Sequence, residues 1–144
     1  MKPTLYITNW SSKALHGLGR KLTIMARPRH WERGAGCCAL LVPSEEDLLS
    51  VQCGQIDIQE YRRRFEEGLT RPMLSGSTSL SPGGLRAAIY RGNIGMSDVQ
   101  SGDTLLCACS RAAAGRGECH RVWAAAALGA AGWRVILDGK ELEP

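Results

Sequence analysis

Apolar and polar residues alternate from the start of the chain. Leu5 and Ile7 oppose Tyr6 and Thr8 over Thr4–Thr8, the period-two signature of a strand. The polar turn Asn9-Trp10-Ser11-Ser12 follows, and Gly17-Leu18-Gly19-Arg20 leads into a second short strand over Lys21–Met25. A basic loop, Ala26-Arg27-Pro28-Arg29-His30-Trp31, and Gly34 and Gly36 separate it from a third apolar run, Cys37–Val42, closed by Pro43.

Two helices come next, each with its own start signal. Ser44 stands before Glu45, Glu46 and Asp47, so its hydroxyl can cap and the acids suit the positive end of the helix dipole. Asp57 with Glu60 three residues on is a variant of the capping box. The second helix is expected to run to about Glu67 and stop at Gly68, with Ile58, Tyr61 and Phe65 as its apolar stripe. Arg62, Arg63 and Arg64 fall mostly off that stripe and read as a solvated face. The stretch 71–84 is rich in Ser, Gly and Pro and reads as a loop or a lid.

In the second half, Gly84–Tyr90 is expected as a short helix, and Gly92, Gly95 and Gly102 as punctuation of a connection. Thr104–Ser110 reads as a buried strand, Ser110–Glu118 as a polar loop, Cys119–Ala131 as a helix and Arg134–Leu137 as a strand before Asp138-Gly139. Strand, loop, helix, strand around the apolar run Leu105–Cys109 argues for helices flanking a parallel sheet. The expectation is therefore one α/β domain over 1–144, a small Rossmann-like three-layer domain with a mainly parallel sheet. Ala124–Ala127, Gly129 and Ala130 let the last helix approach that sheet closely, which is a structural role.

Composition narrows the classes. With 144 residues and 44% hydrophobic content, the chain is long enough for a core without disulfide staples. Its longest apolar candidate, Val122–Ala131, is far below the roughly 20 residues of a membrane span. No signal-peptide pattern is seen, so a cytoplasmic protein is expected, with free cysteines at 37, 38, 53, 107, 109 and 119. The net charge of +4 permits anionic ligands without demanding nucleic acid. The basic residues are mostly arginine, whose planar fork suits phosphate or carboxylate; a coding bias toward arginine explains the excess equally well.

Chemistry is expected at the carboxyl ends of the strands, where open parallel sheets bind ligands. Two loops should emerge there, Asn9–Ser12 and Ser110–Glu118. The second carries Arg111 and Arg116 and feeds the helix start Cys119-His120-Arg121, whose free N–H groups favour an anion. Candidate ligand contacts are Asn9, Trp10, Ser11, Ser12, Arg27, Arg29, Cys109, Ser110, Arg111, Arg116, His120 and Arg121. Cys119, as a helix-start thiolate, and His120, as acid or base, are the catalytic candidates. Each also has a plain structural role: Cys119 as a small packing residue, His120 as a backbone tie. Arg121 is either a phosphate clamp or one half of an ion pair with a carboxylate such as Glu118.

Leu105-Leu106-Cys107-Ala108-Cys109, followed by Cys119-His120-Arg121 and an Ala-rich helix, resembles the domain-of-unknown-function family 488. The likeness runs over Asp103–Gly139. Asn9-Trp10-Ser11-Ser12 stands where that family has a Gly-His-Ser-like turn, without its histidine, and Arg27-Pro28-Arg29 resembles its Arg- and Pro-containing segment. The resemblance implies a small Rossmann-like fold and no particular activity.

Sharper motifs fail on spacing. A zinc set from Cys107, Cys109, Cys119 and His120 is set aside, because two cysteines at i and i+2 on a strand do not make the usual ligand knuckle. Six residues separate Cys109 from Arg116, one more than a thiol-phosphatase cradle has. Gly17-x-Gly19 precedes a strand and lacks the third glycine of the dinucleotide fingerprint. No cofactor and no metal are expected. The leading expectation is binding of a nucleotide or other phosphorylated small molecule, with hydrolysis or transfer on it as an open extension. Trp10 or Trp31 would stack on a base. The alternatives are a non-catalytic sequestering protein, oligomeric or not, and a nucleic-acid-binding or -processing domain using Arg27, Arg29, Arg33 and Arg62–Arg64.

Overall fold

The computed structural model describes residues 2–26, 34–70, 79–91, 93–109 and 111–143, and of residues 90, 91, 93, 94 and 111 the backbone alone. The expectations placed on Arg27, Arg29, His30, Trp31, Arg33, Ser110 and 71–78 lie outside the described residues.

Among the described residues eight strands form one mixed sheet: β1 (Thr4–Asn9), β2 (Lys21–Thr23), β3 (Gly36–Cys37), β4 (Arg86–Arg91), β5 (Asn93–Asp98), β6 (Thr104–Cys107), β7 (Arg134–Leu137) and β8 (Lys140–Glu141). Their order is β5-β4-β3-β2-β6-β1-β7-β8. The middle five run parallel, and an antiparallel hairpin closes each side. Among the described residues four α-helices accompany them: α1 (Glu45–Gln52), α2 (Ile58–Leu69), α3 (Arg111–Gly115) and α4 (His120–Ala130). Among the described residues no helix is long and apolar enough to cross a membrane.

The local start signals are realised. The Ser44 hydroxyl accepts from the Asp47 N–H at 3.0 Å, and the Asp57 carboxylate accepts from the Glu60 N–H at 2.8 Å. Tyr61 and Phe65 are buried, and the three arginines beside them pair with Glu60, Glu66, Glu67 and Asp47 on the surface.

The centre of the sheet is apolar. Leu5, Ile7, Leu22, Leu105, Leu106 and Val135 are at most 1% exposed. Each such side chain contributes roughly 1.5–3 kcal/mol. α4 lays Ala124, Ala125 and Leu128 into this core, and α2 packs onto α4 through an aromatic cluster. Tyr61 meets Trp123 edge-on at 5.5 Å between ring centres, and Phe65 meets His120 at 5.6 Å. The amino end of the sheet is held by Asp103, whose carboxylate accepts from the Arg20 guanidinium at 2.8 Å and from the Arg20 and Gln100 N–H groups at 2.9 Å.

Several expectations change. The run expected as a helix over Gly84–Tyr90 leads instead into β4, which returns as β5, so the glycine-punctuated connection is a hairpin. The third apolar run holds a single strand residue, Cys37, and then a 3-10 turn over Ala39–Leu41. Gly36 is required in β3, since any Cβ there would collide with the Ala88 carbonyl of β4. The loop after β6 contains the one-turn helix α3, and β6 itself ends at Cys107. Asp138 and Gly139, both at positive φ, form a two-residue turn into β8.

Candidate functional site

β1 and β6 lie side by side, but the chain leaves them in opposite directions, from β1 toward β2 and from β6 through α4 toward β7. Each connection passes beyond the neighbouring strand, β1 to β2 past β6 and β6 to β7 past β1, so both loops emerge at the carboxyl edge, where open parallel sheets bind ligands. The groups that meet there are the side chains of Asn9 on β1, Cys107 and Cys109 at the end of β6, the first turn of α4 and Asp138 after β7, with the backbone carbonyl of Ile24 after β2.

Arg121 is the centre of this edge, and its side chain is completely buried. Its guanidinium donates to the Cys109 carbonyl at 2.7 Å, to the Cys107 sulfur at 3.2 Å and to the Asp138 carboxylate at 3.1 Å. Asp138 is held in turn by the Thr8 hydroxyl at 2.8 Å. Arg121 is therefore an ion-pair partner, with Asp138 and not Glu118 as its acid. Glu118 pairs with Arg116 on the surface.

Three thiols gather beneath this cation. The Sγ atoms of Cys107, Cys109 and Cys119 all lie within 4.8 Å of one another, and Cys107 and Cys119 are 3.5 Å apart. None of the six cysteines is joined in a disulfide. The i, i+2 objection fails because Cys109 is not on the strand: the chain leaves β6 at Cys107, and the Cys109 carbonyl is fixed by Arg121 and by the Asn9 amide at 3.2 Å. Hydrogen bonds from Cys107 and Cys119 and the nearby Arg121 charge hold the Cys109 thiol well below the usual cysteine range. The same sulfur contacts, with burial, push Cys119 up. Cys109 is the least buried of the three.

His120 is buried, and its Nε2–H donates to the Ile24 carbonyl at 2.7 Å. Burial pushes its pKa down, so the imidazole is neutral. That bond ties α4 to the end of β2.

Cys107, Cys109 and His120 form the floor of a cleft of about 460 Å³, a size that accommodates a small organic molecule. Its walls are mainly apolar, with Met25, Leu48, Leu49, Val51, Ile58 and Tyr61, and Glu45 and Glu118 at the rim. Among the described residues no arginine or lysine lines it. A larger depression of about 650 Å³ beside α2 carries Arg63, Arg64, Asp47 and Glu67, and these neutralise one another.

The remaining sequence candidates sort by position. Asn9 faces inward, and its Oδ1 accepts from Ser11 and from the Ser12 N–H, so it shapes the turn after β1. Trp10 lies beside Gly34, and its Nε1 has no partner among the described residues. The side chain of Arg111, like Ser110, Arg27 and Arg29, lies outside the described set. Sequence reasoning missed Asp138 and Thr8 as the anchors of Arg121, and the α1 and α2 walls of the cleft. The signal for Asp138 was present: it follows the last parallel strand, at the edge where ligands bind. Comparison with protein-family models, with curated proteins and with solved structures gave no match.

Proposed function

We propose that this chain is a small-molecule-binding α/β domain whose ligand sits in the carboxyl-edge cleft and reacts with, or is held against, the Cys109 thiolate. The observation that carries this reading is the coincidence of three features: an apolar cleft, the partly buried Cys109 thiol lining it, and a fixed cation that holds the Cys109 carbonyl and the adjoining Cys107 sulfur. A thiolate is the nucleophilic form of cysteine, and a neighbouring guanidinium favours it. The apolar walls select a ligand with a hydrocarbon or aromatic body. On this reading the domain belongs with the small Rossmann-like three-layer folds and with the domain-of-unknown-function family 488, whose Cys-His-Arg motif then has a physical sense. Cys119 packs its sulfur against Cys107 beneath the cleft, His120 locks the helix to β2, and Arg121 supplies the counter-charge.

The test uses thiol reagents of equal intrinsic reactivity that differ in their alkyl chain. Cys109 should react first and should prefer the alkyl-bearing reagent. Ile58→Asp, in the cleft wall, should remove that preference and leave the reaction with the small reagent unchanged. Equal rates for both reagents, or first reaction at exposed Cys53, would overturn the proposal.

A phosphorylated ligand is the second reading. It is favoured by α4, which starts at Cys119 with no side-chain cap and adjoins the cleft through His120. Pyrophosphate or a nucleotide should then raise the melting temperature, and the absence of any rise would remove this reading. A purely sequestering role corresponds to the same binding without chemical change in the ligand. Nucleic-acid binding draws little from Arg62–Arg64, which are neutralised on α2.

A further inference from the structure

We infer that Cys107, Cys109 and Cys119 form a three-thiolate site for a divalent thiophilic metal ion of the zinc group, with an open fourth position toward the cleft.

Geometry is the first support. Zinc–sulfur bonds are about 2.3 Å long, so three sulfurs around one ion lie roughly 3.8–4.0 Å apart, depending on how flat the arrangement is. The Cys107–Cys119 separation is 3.5 Å, and no pair of the three exceeds 4.8 Å. Rotation of the half-buried Cys109 side chain and small shifts at the other two close the set without rebuilding β6 or α4.

Ligand type and charge are the second support. A donor set made only of sulfur selects soft or borderline ions over magnesium or calcium. Three thiolates and one divalent ion sum to a single negative charge. Arg121, with its guanidinium 3.2 Å from the Cys107 sulfur, offsets that charge and bonds the ligand from behind. Asp138 and Thr8 orient Arg121, and Asn9 with Arg121 fixes the Cys109 backbone. This is the outer layer of hydrogen bonds that metal ligands need.

The open position follows from the topology. Cys107 and Cys109 line the cleft, whereas Cys119 and Arg121 do not. His120 supplies no fourth bond, since neither of its ring nitrogens joins the three sulfurs within ligand distance. Three protein ligands and a vacancy facing a cleft are the arrangement in which zinc takes water or substrate. The open position rests on the ligand-cleft reading above, but the metal binding does not.

The experiment titrates reduced, metal-free protein with cobalt(II) and cadmium(II) as optical probes, followed by competition between zinc(II) and a chromophoric chelator. One equivalent per chain and intense sulfur-to-metal charge-transfer absorption are expected. Cys109→Ser should weaken binding by more than the roughly 10–100-fold that losing one outer hydrogen-bond partner costs. Cys107→Ser and Cys119→Ser should do the same, and Cys53→Ser should not. Cys109 is only partly buried, so its variant keeps the fold and decides the matter even where the buried variants unfold. Absence of charge-transfer absorption, or unchanged affinity in Cys109→Ser, overturns the site. The two proposals fail separately. Alkyl-selective labelling of Cys109 without metal binding leaves the ligand reading standing alone. Metal binding without alkyl selectivity leaves the metal site standing alone. If both hold, saturating zinc should protect Cys109 from labelling.

Discussion

Substituting Asp138 by asparagine tests whether Arg121 is a buried cation that depends on one carboxylate. The exchange keeps size and shape and leaves an oxygen for the Thr8 hydroxyl, but it removes the charge facing a guanidinium whose side chain is 0% exposed. Removing one partner of a buried pair costs about 3–5 kcal/mol, because the other charge stays uncompensated. The Cys109 carbonyl and the Cys107 sulfur still accept from Arg121, which puts the expectation near the lower end of that range. The converse variant, Arg121→Met, should be milder. Asp138 keeps 19% exposure and can meet water, and the Cys109 carbonyl keeps its bond from Asn9. Its cost should be about 1.5–3 kcal/mol, that of a hydrogen bond to a charged group. The double variant removes both charges and should be more stable than Asp138→Asn alone. Urea unfolding of reduced, metal-free protein at neutral pH measures all three. A cost for Asp138→Asn below about 1 kcal/mol, or a double variant equal to the sum of the singles, would refute the dependence.

Three further outcomes follow from the geometry. Arg20→Met should destabilise by roughly 1.5–3 kcal/mol in the same urea assay, because Asp103 is 2% exposed and loses its charged partner. Asp57→Ala should cost about 1 kcal/mol by removing the cap on the Glu60 N–H, and Asp57→Asn much less. Hydrogen bonds from Arg63 and then Arg64 lower Glu60 to about 2, so its carboxyl carbon should titrate by NMR well below an ordinary glutamate. Because the folded pKa is depressed, this contribution is present above the unfolded value and fades as pH falls toward about 2. A titration midpoint near 4.3 would show the α2 ion pairs to be absent in solution.

Legibility followed the range of the interactions. The caps at Ser44 and Asp57 depend on neighbours three residues away, so the sequence displays them directly. The same holds for Tyr61 and Phe65 on one face of α2. The β4–β5 hairpin was hidden because Arg86–Asp98 is rich in alanine and glycine and draws its strand character from pairing with β3. The Gly92-Asn93 pair was its one local signal. In the site, the Cys-His-Arg step was visible as a helix start, but the direction of Arg121 was not. Its partners Cys107, Cys109 and Asp138 are 12–17 residues away and reach it only through the order of the parallel strands. Cys109 was misplaced for the same reason: the apolar run continues past Cys107, whereas the ladder to β1 and β2 does not.

The order of the sheet also constrains when the domain can fold. β6 lies between β1 and β2, yet it follows both by some eighty residues or more. A nascent chain that has made β1 and β2 has no direct way to join them, since each waits for the same missing neighbour. Long-range pairing of this kind raises contact order and slows folding. The thiols and Arg121 emerge within the same late stretch, and Asp138 is made after all of them. During synthesis the cysteines therefore precede the last partner that fixes their surroundings, and an unfinished chain carries them exposed to oxidants and stray metal ions.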